Sequence, residues 1–292
     1  MSETALTFNR SAVRLHRDRA AAAPVDSDFL FVETAERLLD RLDDIKRGFP
    51  IALDLGCHGG QLAARLAGRG GIETLVQCDL SPVMAARAAR AQTYAVAADE
   101  EALPFADASL DLILSNLTLH WVNDLPGALI QARRALKPDG LFLASMLGGN
   151  TLHELRTALY EAETKIEGGL SPRVSPFADV PDLGQLLQRA GFALPVVDTE
   201  DITVSYGEPF KLMADLRAMG ESNAVTLRRT SFSRRATLMR AAEIYRARFA
   251  DADGRMPATF QVLTMTAWAP SPDQPQPLKP GSATTRLADA LG

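Results

Sequence analysis

A chain of 292 residues, 47% of them hydrophobic, can bury a full core as one enlarged domain or as a domain with an appendage. Its net charge of −5 argues against nucleic acid as the main partner, and no run approaches the roughly 18 apolar residues of a transmembrane helix. Two cysteines and the absence of a secretory signal indicate a reducing compartment without a disulfide framework, so a cytoplasmic protein is expected.

The first motif joins a predicted strand to a glycine-rich turn, after an N-terminal segment over 1–50 that is predicted to be helical. Residues 51–60 read IALDLGCHGG, and an amphipathic stretch over 61–67 predicts a helix directly after the turn. Glycines let the backbone approach a ligand, and a helix N-terminus offers free N–H groups. Asp54 can reach the amino group of a ligand, so the pattern suits an amino-acid tail better than a pyrophosphate. The predicted binding residues are Asp54, Gly56, Cys57, His58 and Gly60.

Acidic residues follow successive predicted strands at the same edge of the sheet. Asp79 ends the second strand, where one carboxylate can accept hydrogen bonds from both hydroxyls of a ribose. Asp99 and Glu100 end the third strand. Because core packing does not favour charges at three successive strand ends, Asp54 and these acids together predict a nucleoside site. The predicted binding residues at this edge are Asp79, Leu80, Asp99, Glu100 and, at the end of the fourth strand, Ser115.

This combination of an acid, spaced glycines and strand-end acids resembles the S-adenosylmethionine-dependent methyltransferases. His58 departs from that family, which usually has a glycine at this position. We expect binding to survive, because only the backbone N–H of His58 need face the ligand; a strand–turn–helix without a ligand is the alternative. The resemblance implies S-adenosylmethionine as the cofactor, with its adenine amino group near Asp99 and Glu100.

The resemblance also implies the fold, an α/β protein with the seven-stranded, Rossmann-like sheet of class I S-adenosylmethionine methyltransferases. The last two strands of such a sheet form a hairpin, and the final strand is antiparallel. Hydrophobic patterns predict strands at 51–55, 74–78, 94–98, 110–115, 141–145, 194–206 and 259–268. Further helices are predicted at 83–91, 126–136, 151–163, 183–190, 210–219 and 233–249. The predicted organisation is a helical segment (1–50), a Rossmann-like domain (51–208 and 258–269), a helical insertion (209–257) and a flexible tail (270–292).

The insertion over 209–257 separates the last two predicted strands by far more residues than a hairpin loop needs. It holds ten Lys and Arg residues against five Asp and Glu, although the whole chain is acidic. Inserted elements at the carboxyl edge of an α/β sheet tend to cover the site. We therefore expect a substrate lid, with a solvated helical face as the alternative.

Three segments are more specific than the motifs of the fold: LHWVNDLP at 119–126, EGGLSP at 167–172 and MGESN at 219–223. With shorter matches from Phe8 nearly to the C-terminus, they resemble a methyltransferase-fold family, assembly factor five of respiratory complex I. A looser resemblance is to the malonyl-carrier-protein O-methyltransferase of biotin synthesis. With only seven residues ahead of Phe8, we expect no organelle leader. We therefore expect a bacterial relative that is cytoplasmic and meets the inner face of the membrane through its target.

The family resemblance implies that the partner is a complex I subunit, one of whose arginines is hydroxylated. The fold itself implies methyl transfer, in which positioning supplies most of the catalysis. His120, just past the fourth strand, is the candidate catalytic residue as a base, and a packing role in its loop is the alternative. Hydroxylation usually needs a metal held by two histidines and a carboxylate. The four histidines show no such pattern, so no metal site is predicted.

Two other functions stay open. An O-methyltransferase that acts on a carrier-protein-bound or small carboxylate would fit the basic insertion, because carrier proteins are acidic and would be steered by it. An arginine substrate would rather meet acids, so the charge of the insertion counts mildly against arginine modification unless the insertion docks elsewhere on the target. The other alternative is a cofactor-binding chaperone that holds an assembly intermediate without catalysis.

Overall fold

The computed structural model describes residues 6–89, 93–177 and 180–275, and within them seven strands form one mixed sheet. The strands are β1 (Ile51–Leu55), β2 (Thr74–Asp79), β3 (Thr93–Ala97), β4 (Leu110–Asn116), β5 (Leu136–Leu147), β6 (Ala193–Tyr206) and β7 (Met256–Trp268). Their order is β3-β2-β1-β4-β5-β7-β6. Strands β1 to β5 run parallel, and β7 lies antiparallel between β5 and β6. This arrangement confirms the predicted class I methyltransferase sheet and its terminal hairpin.

Burial explains why the central strands are almost continuously apolar. Strands β1, β4 and β5 are covered on both faces, as parallel strands usually are, and Leu53, Ile113 and Phe142 are fully buried. The edge strand β6 instead varies between half-buried and exposed residues. Because parallel strands end at one edge of the sheet, the residues that follow β1 to β4 gather there.

Eight α-helices lie within the described residues. They are α1 (Arg10–Ala20), α2 (Phe29–Asp43), α3 (Pro82–Ala88), α4 (Leu125–Ala135), α5 (His153–Glu167), α6 (Val180–Arg189), α7 (Pro209–Met219) and α8 (Arg235–Phe249). Side-chain caps explain where two of them begin. Asn9 accepts a hydrogen bond from the backbone N–H of Ala12 in α1, and Ser81 accepts one from Met84 in α3. Pro82, in the first turn of α3, has the backbone angle that a helix start requires.

The α-helix predicted over 61–67 is wrong. These residues form turns and a short 3-10 segment, Ala63–Arg65. Ala67 and Gly68 then take left-handed φ angles of 46° and 85°, through which a right-handed helix does not continue. Leu62 and Leu66 are buried, so the apolar spacing packs a series of turns on the sheet instead of one face of a helix. The glycine-rich turn therefore has no α-helix N-terminus behind it.

The insertion between β6 and β7 contains the two predicted helices, α7 and α8. Helix α8 packs on α5, and the buried Tyr245 donates a hydrogen bond from its hydroxyl to the carbonyl of Pro257 at 2.6 Å. Basic residues of the insertion form ion pairs within the chain, namely Lys211–Asp215, Arg229–Glu167, Arg240–Glu243 and Arg248–Glu161. Part of the positive charge that was expected to attract an acidic partner is thus neutralised internally.

The division into domains stays a prediction. Of the predicted flexible tail over 270–292, the part from residue 276 onward lies outside the described residues. Among the helices of the described residues, none has the length and apolar character needed to cross a membrane.

Candidate functional site

The predicted strand-end acids come together, and two arginines of α1 lie among them. Asp79 and Glu100 are fully buried, as is Arg17 of α1. Nη1 of Arg17 donates to Oε1 of Glu100 at 2.9 Å and lies 3.3 Å from each carboxylate oxygen of Asp79. Arg10 donates to Oδ1 of Asp99 at 2.6 Å and also to Glu100. The acids predicted to hold a nucleoside are therefore paired with the protein's own guanidinium groups.

This cluster is held together by opposite charges in a buried setting. Burial disfavours the charge on Glu100, but Arg17 and Arg10 outweigh it and lower the pKa of Glu100 to about 2. Burial likewise disfavours the charge on Arg17, and the carboxylates of Asp79 and Glu100 raise its pKa above the ordinary value. Glu100, Arg17 and Arg10 therefore stay ionised around neutral pH.

Asp54 differs from the other acids because it has no partner. It lies within β1 and is fully buried, and neither carboxylate oxygen accepts a hydrogen bond from the described residues. Burial, with the nearby charge of Asp79, raises the pKa of Asp54 to about 7. A buried polar group without a partner is rare and costly. The site thus offers an acceptor that fits the positively charged amino group of a ligand.

The N–H groups of the glycine-rich turn are used inside the protein. The backbone N–H groups of Gly56 and Cys57 both donate to the carbonyl of Cys78, at 2.7 and 2.9 Å, and that of Gly60 donates to Cys57 at 2.9 Å. Gly56 has a φ of 71°, and a Cβ there would overlap the side chain of Thr118. The turn is therefore pressed against the end of β4, and the free N–H groups expected from the sequence are absent from these positions.

Replacing Gly56 by alanine tests this close approach. Gly168, with a φ of 68° and open space around it, is the matched control, because alanine there meets only the backbone strain. Overpacking against Thr118 should make Gly56→Ala less stable than Gly168→Ala by about 1–3 kcal/mol in urea unfolding. Equal losses for the two variants would contradict the contact.

His58, the departure from the usual glycine, is part of the packing around the turn. Its backbone N–H, which was expected to face the ligand, donates to Oδ2 of Asp79 at 3.1 Å. The ring stacks on Phe31 at 4.2 Å, and Nε2 lies 3.2 and 3.1 Å from the carbonyls of Asn116 and Leu117. Burial, with the charge of Arg17, lowers the pKa of His58, so the ring is neutral.

Three other predicted binding residues have structural contacts. Ser115 donates from its hydroxyl to the carbonyl of Leu55 at 2.8 Å and so links β4 to β1. Leu80 packs under the N-terminal segment against a small apolar cluster. Cys57 is buried, and burial raises the pKa of its thiol well above the usual range, which makes it unreactive. The role of all the predicted binding residues in holding a ligand stays a prediction.

His120, the candidate catalytic residue, forms a pair with an acid that the sequence analysis did not select. Its Nε2 lies 2.9 Å from Oε2 of Glu221, and the same oxygen accepts a hydrogen bond from Trp121 Nε1 at 3.0 Å. Burial disfavours the charge on Glu221, but the neighbouring His120 and Arg17 lower its pKa below the ordinary value. Glu221 lies in the MGESN segment, which is more specific than the motifs of the fold, but nothing in the local pattern of that segment predicts a chemical role for Glu221.

An apolar cavity of about 220 Å³ lies beside this pair. Trp121 and Glu221 are among its lining residues, and His120 is not. The opposite wall comes from α5, the loop over 173–177, α7 and α8. The three specific sequence segments meet at this cavity. Trp121 of LHWVNDLP and Asn223 of MGESN line it. Asn223 donates from Nδ2 to the carbonyl of Pro172, the last residue of EGGLSP, at 2.7 Å.

Within the described residues, no group of three or more His, Cys, Asp or Glu side chains is placed to hold a metal ion.

Comparison with known proteins first defines the class. Residues 53–144 match the family model described as "Methyltransferase domain". The fold resembles YcgJ of Bacillus subtilis, with a TM-score of 0.57 and 14% identity over 81% of this chain and 99% of that one. It also resembles phosphoethanolamine N-methyltransferase 2 of Haemonchus contortus, solved with S-adenosyl-L-methionine, with a TM-score of 0.50 and 21% identity over 82% of this chain and 53% of that one. The fold is therefore that of the class I methyltransferases.

The curated relatives then define the family. The human protein "Arginine-hydroxylase NDUFAF5, mitochondrial" is 44% identical over 97% of this chain and 82% of its own length. The malonyl-[acyl-carrier protein] O-methyltransferase of Methylovorus is 36% identical over 92% of both chains. This chain belongs to the NDUFAF5 family, with the carrier-protein methyltransferases as more distant relatives. The resemblance derived from the sequence segments is confirmed.

Proposed function

We propose that this protein binds S-adenosylmethionine and modifies an arginine of a respiratory complex I subunit during assembly of the complex, in the cytoplasm at the inner face of the membrane. The observation that carries this proposal is the extent of the similarity to the NDUFAF5 arginine hydroxylases. It spans 97% of this chain and therefore includes the insertion, which the general methyltransferase fold does not require.

The acid edge, which consists of Asp54, Asp79, Asp99 and Glu100, has side chains whose chemistry supports the proposed cofactor. The unpartnered carboxylate of Asp54 would accept the amino group of the methionine part, Asp79 the ribose hydroxyls, and Asp99 or Glu100 the adenine amino group. Arg17 has to leave Asp79 for this, since it now occupies the same oxygens. When bound, the cofactor supplies an electrophilic methyl group on a positively charged sulfur.

Two modifications of arginine are compatible with this site. Methyl transfer would form a nitrogen–carbon bond while the sulfur–carbon bond breaks, and the guanidinium would lose a proton. Hydroxylation, the activity in the relatives' name, would add an oxygen atom and would need dioxygen and a two-electron reductant. The two differ in the mass added to the substrate, which makes them separable by measurement.

Carrier-protein O-methylation is the second candidate. The 36% identity to malonyl-[acyl-carrier protein] O-methyltransferases supports it, as do basic residues of the insertion that have no acidic partner among the described residues, such as Arg217 and Arg246. The anionic Glu221 at the cavity weighs against it, because a malonyl carboxylate would be repelled there.

The test is mass spectrometry of complex I purified from cells with and without this gene. We expect one subunit arginine to carry an added oxygen atom or methylene group, to lose it on deletion, and to regain it with the wild-type gene. Asp79→Asn should not restore it, whereas Asp40→Asn, with a side chain 71% exposed on α2, should. A biotin requirement with an intact arginine modification would favour the carrier-protein activity. Failed assembly with no arginine modified in wild-type cells would favour the non-catalytic chaperone.

A further inference from the structure

The cavity beside Trp121 combines an apolar wall with a buried acid. Most of its wall is aliphatic or aromatic, including Leu155, Phe177 and Leu216. Glu221, whose side chain is 6% exposed, is the acid among its lining residues. The basic lining residue, Arg173, is already paired with Glu163 at 2.7 Å. The charge presented to an occupant of this cavity is therefore negative.

The Glu221 carboxylate is held in a fixed orientation with one oxygen unused. His120 and Trp121 both contact Oε2, at 2.9 and 3.0 Å, which leaves Oε1 to accept from an incoming donor. His120 is itself fixed by the backbone N–H of Leu147, 3.5 Å from its Nδ1. Such support from behind is what a binding carboxylate needs in order to keep its geometry.

The cavity also has a suitable size and place. The cavity volume of about 220 Å³ corresponds to the liquid volume of about seven water molecules. An arginine side chain has about as many non-hydrogen atoms, so it is of a size to fit. One short 3-10 segment, Leu119–Trp121, connects the acid edge to the cavity along the chain. Thr118 just before it donates to Glu100 at 3.1 Å, while Trp121 at its end lines the cavity. An occupant would thus lie next to the proposed cofactor.

We propose that this cavity is the acceptor site and that Glu221 selects a cationic side chain, binding the guanidinium of an arginine while the apolar wall holds its aliphatic stem. His120 acts as a positioning residue for Glu221. The inference rests on the proposed function in taking arginine as the acceptor, and it adds the residue that recognises it. A carrier-bound carboxylate would be rejected at the same place by charge repulsion.

The test measures ligand binding by NMR, with and without S-adenosylhomocysteine, and needs no turnover. The probes are Nα-acetyl-arginine methylamide, its neutral citrulline isostere, and the malonyl thioester of N-acetylcysteamine. Wild-type protein should bind the arginine probe about tenfold or more tightly than the citrulline probe, as expected for a hydrogen bond to a charged group. Equal binding of the two, or preferred binding of the malonyl probe, would overturn the inference without any variant.

Variants assign the preference to Glu221. Glu221→Gln keeps the shape of the side chain and should reduce the preference for arginine over citrulline to near one. Glu243→Gln, an acid of the same insertion with a side chain 62% exposed, is the matched control and should keep the preference. Circular dichroism checks that both variants are folded. A preference that survives Glu221→Gln would overturn this inference alone, whereas an unmodified complex I in wild-type cells would overturn the proposed function.

Discussion

Replacing Arg17 by glutamine should lower the free energy of unfolding of the ligand-free protein by about 3–5 kcal/mol, because it leaves the buried carboxylate of Asp79 without a counter-charge and that of Glu100 with Arg10 alone. Asp79 and Glu100 are fully buried, and Arg17 is the group that pairs with both. Urea unfolding measures the change. Arg19→Gln is the matched control, since Arg19 lies exposed on the same helix without an ion pair to a described residue, and it should change stability by less than about 0.5 kcal/mol.

The same variant should bind S-adenosylhomocysteine more tightly than the wild-type protein. Arg17 occupies the oxygens of Asp79 that a ribose would use, so its removal takes away an internal competitor. Isothermal titration calorimetry of the two proteins gives the comparison. Weaker binding by Arg17→Gln would mean that the guanidinium holds the ligand instead of competing with it. An unfolding free energy equal to that of the wild type would contradict the buried ion pairs themselves.

Asp54 should make the stability of the ligand-free protein depend on pH between about 4 and about 7. Its pKa is raised from 3.8 to about 7 in the folded protein, so the protonated form favours folding. The stability it contributes is fully present below its unfolded-state pKa, falls as the pH rises, and is lost above its folded-state pKa. The raised pKa corresponds to a loss of about 4 kcal/mol.

The measurement compares urea unfolding of the wild type and Asp54→Asn across this range. Asparagine cannot ionise, so the variant should gain stability relative to the wild type as the pH rises, while Asp40→Asn should show no such trend. A constant difference between wild type and Asp54→Asn would refute the raised pKa. Binding of a cationic amino group at Asp54 should in addition release a proton below neutral pH. Calorimetry in buffers of different ionisation enthalpy detects this release, which Asp54→Asn should abolish.

The strands of the sheet could be predicted from the sequence because each is marked by a local pattern of residues. Apolar runs mark the central strands, and the acids at the end of β2 and shortly after β3 mark the edge where parallel strands finish. The error over 61–67 has a local cause too, since an apolar spacing alone does not separate a helix from packed turns. Only the left-handed angles at Ala67 and Gly68 decide between them.

The contacts that define the candidate site could not be predicted from the sequence in the same way, because they join residues far apart in the chain. Arg17 meets Glu100, 83 residues away, and His120 meets Glu221, 101 residues away. No spacing rule connects such pairs. The sequence indicated that the acids of the edge would gather, but not that α1 would supply their counter-charges.

The short segment Leu119–Trp121 follows Thr118, which donates to Glu100 at the acid edge, and ends at Trp121, which lines the apolar cavity. A molecule bound at the acid edge or in the cavity that shifts this segment would alter how a second molecule fits at the other position. Thermodynamic reciprocity then requires that an acceptor which tightens cofactor binding by some factor has its own binding tightened by the cofactor by the same factor. Binding at the acid edge and binding in the cavity would thereby affect each other equally.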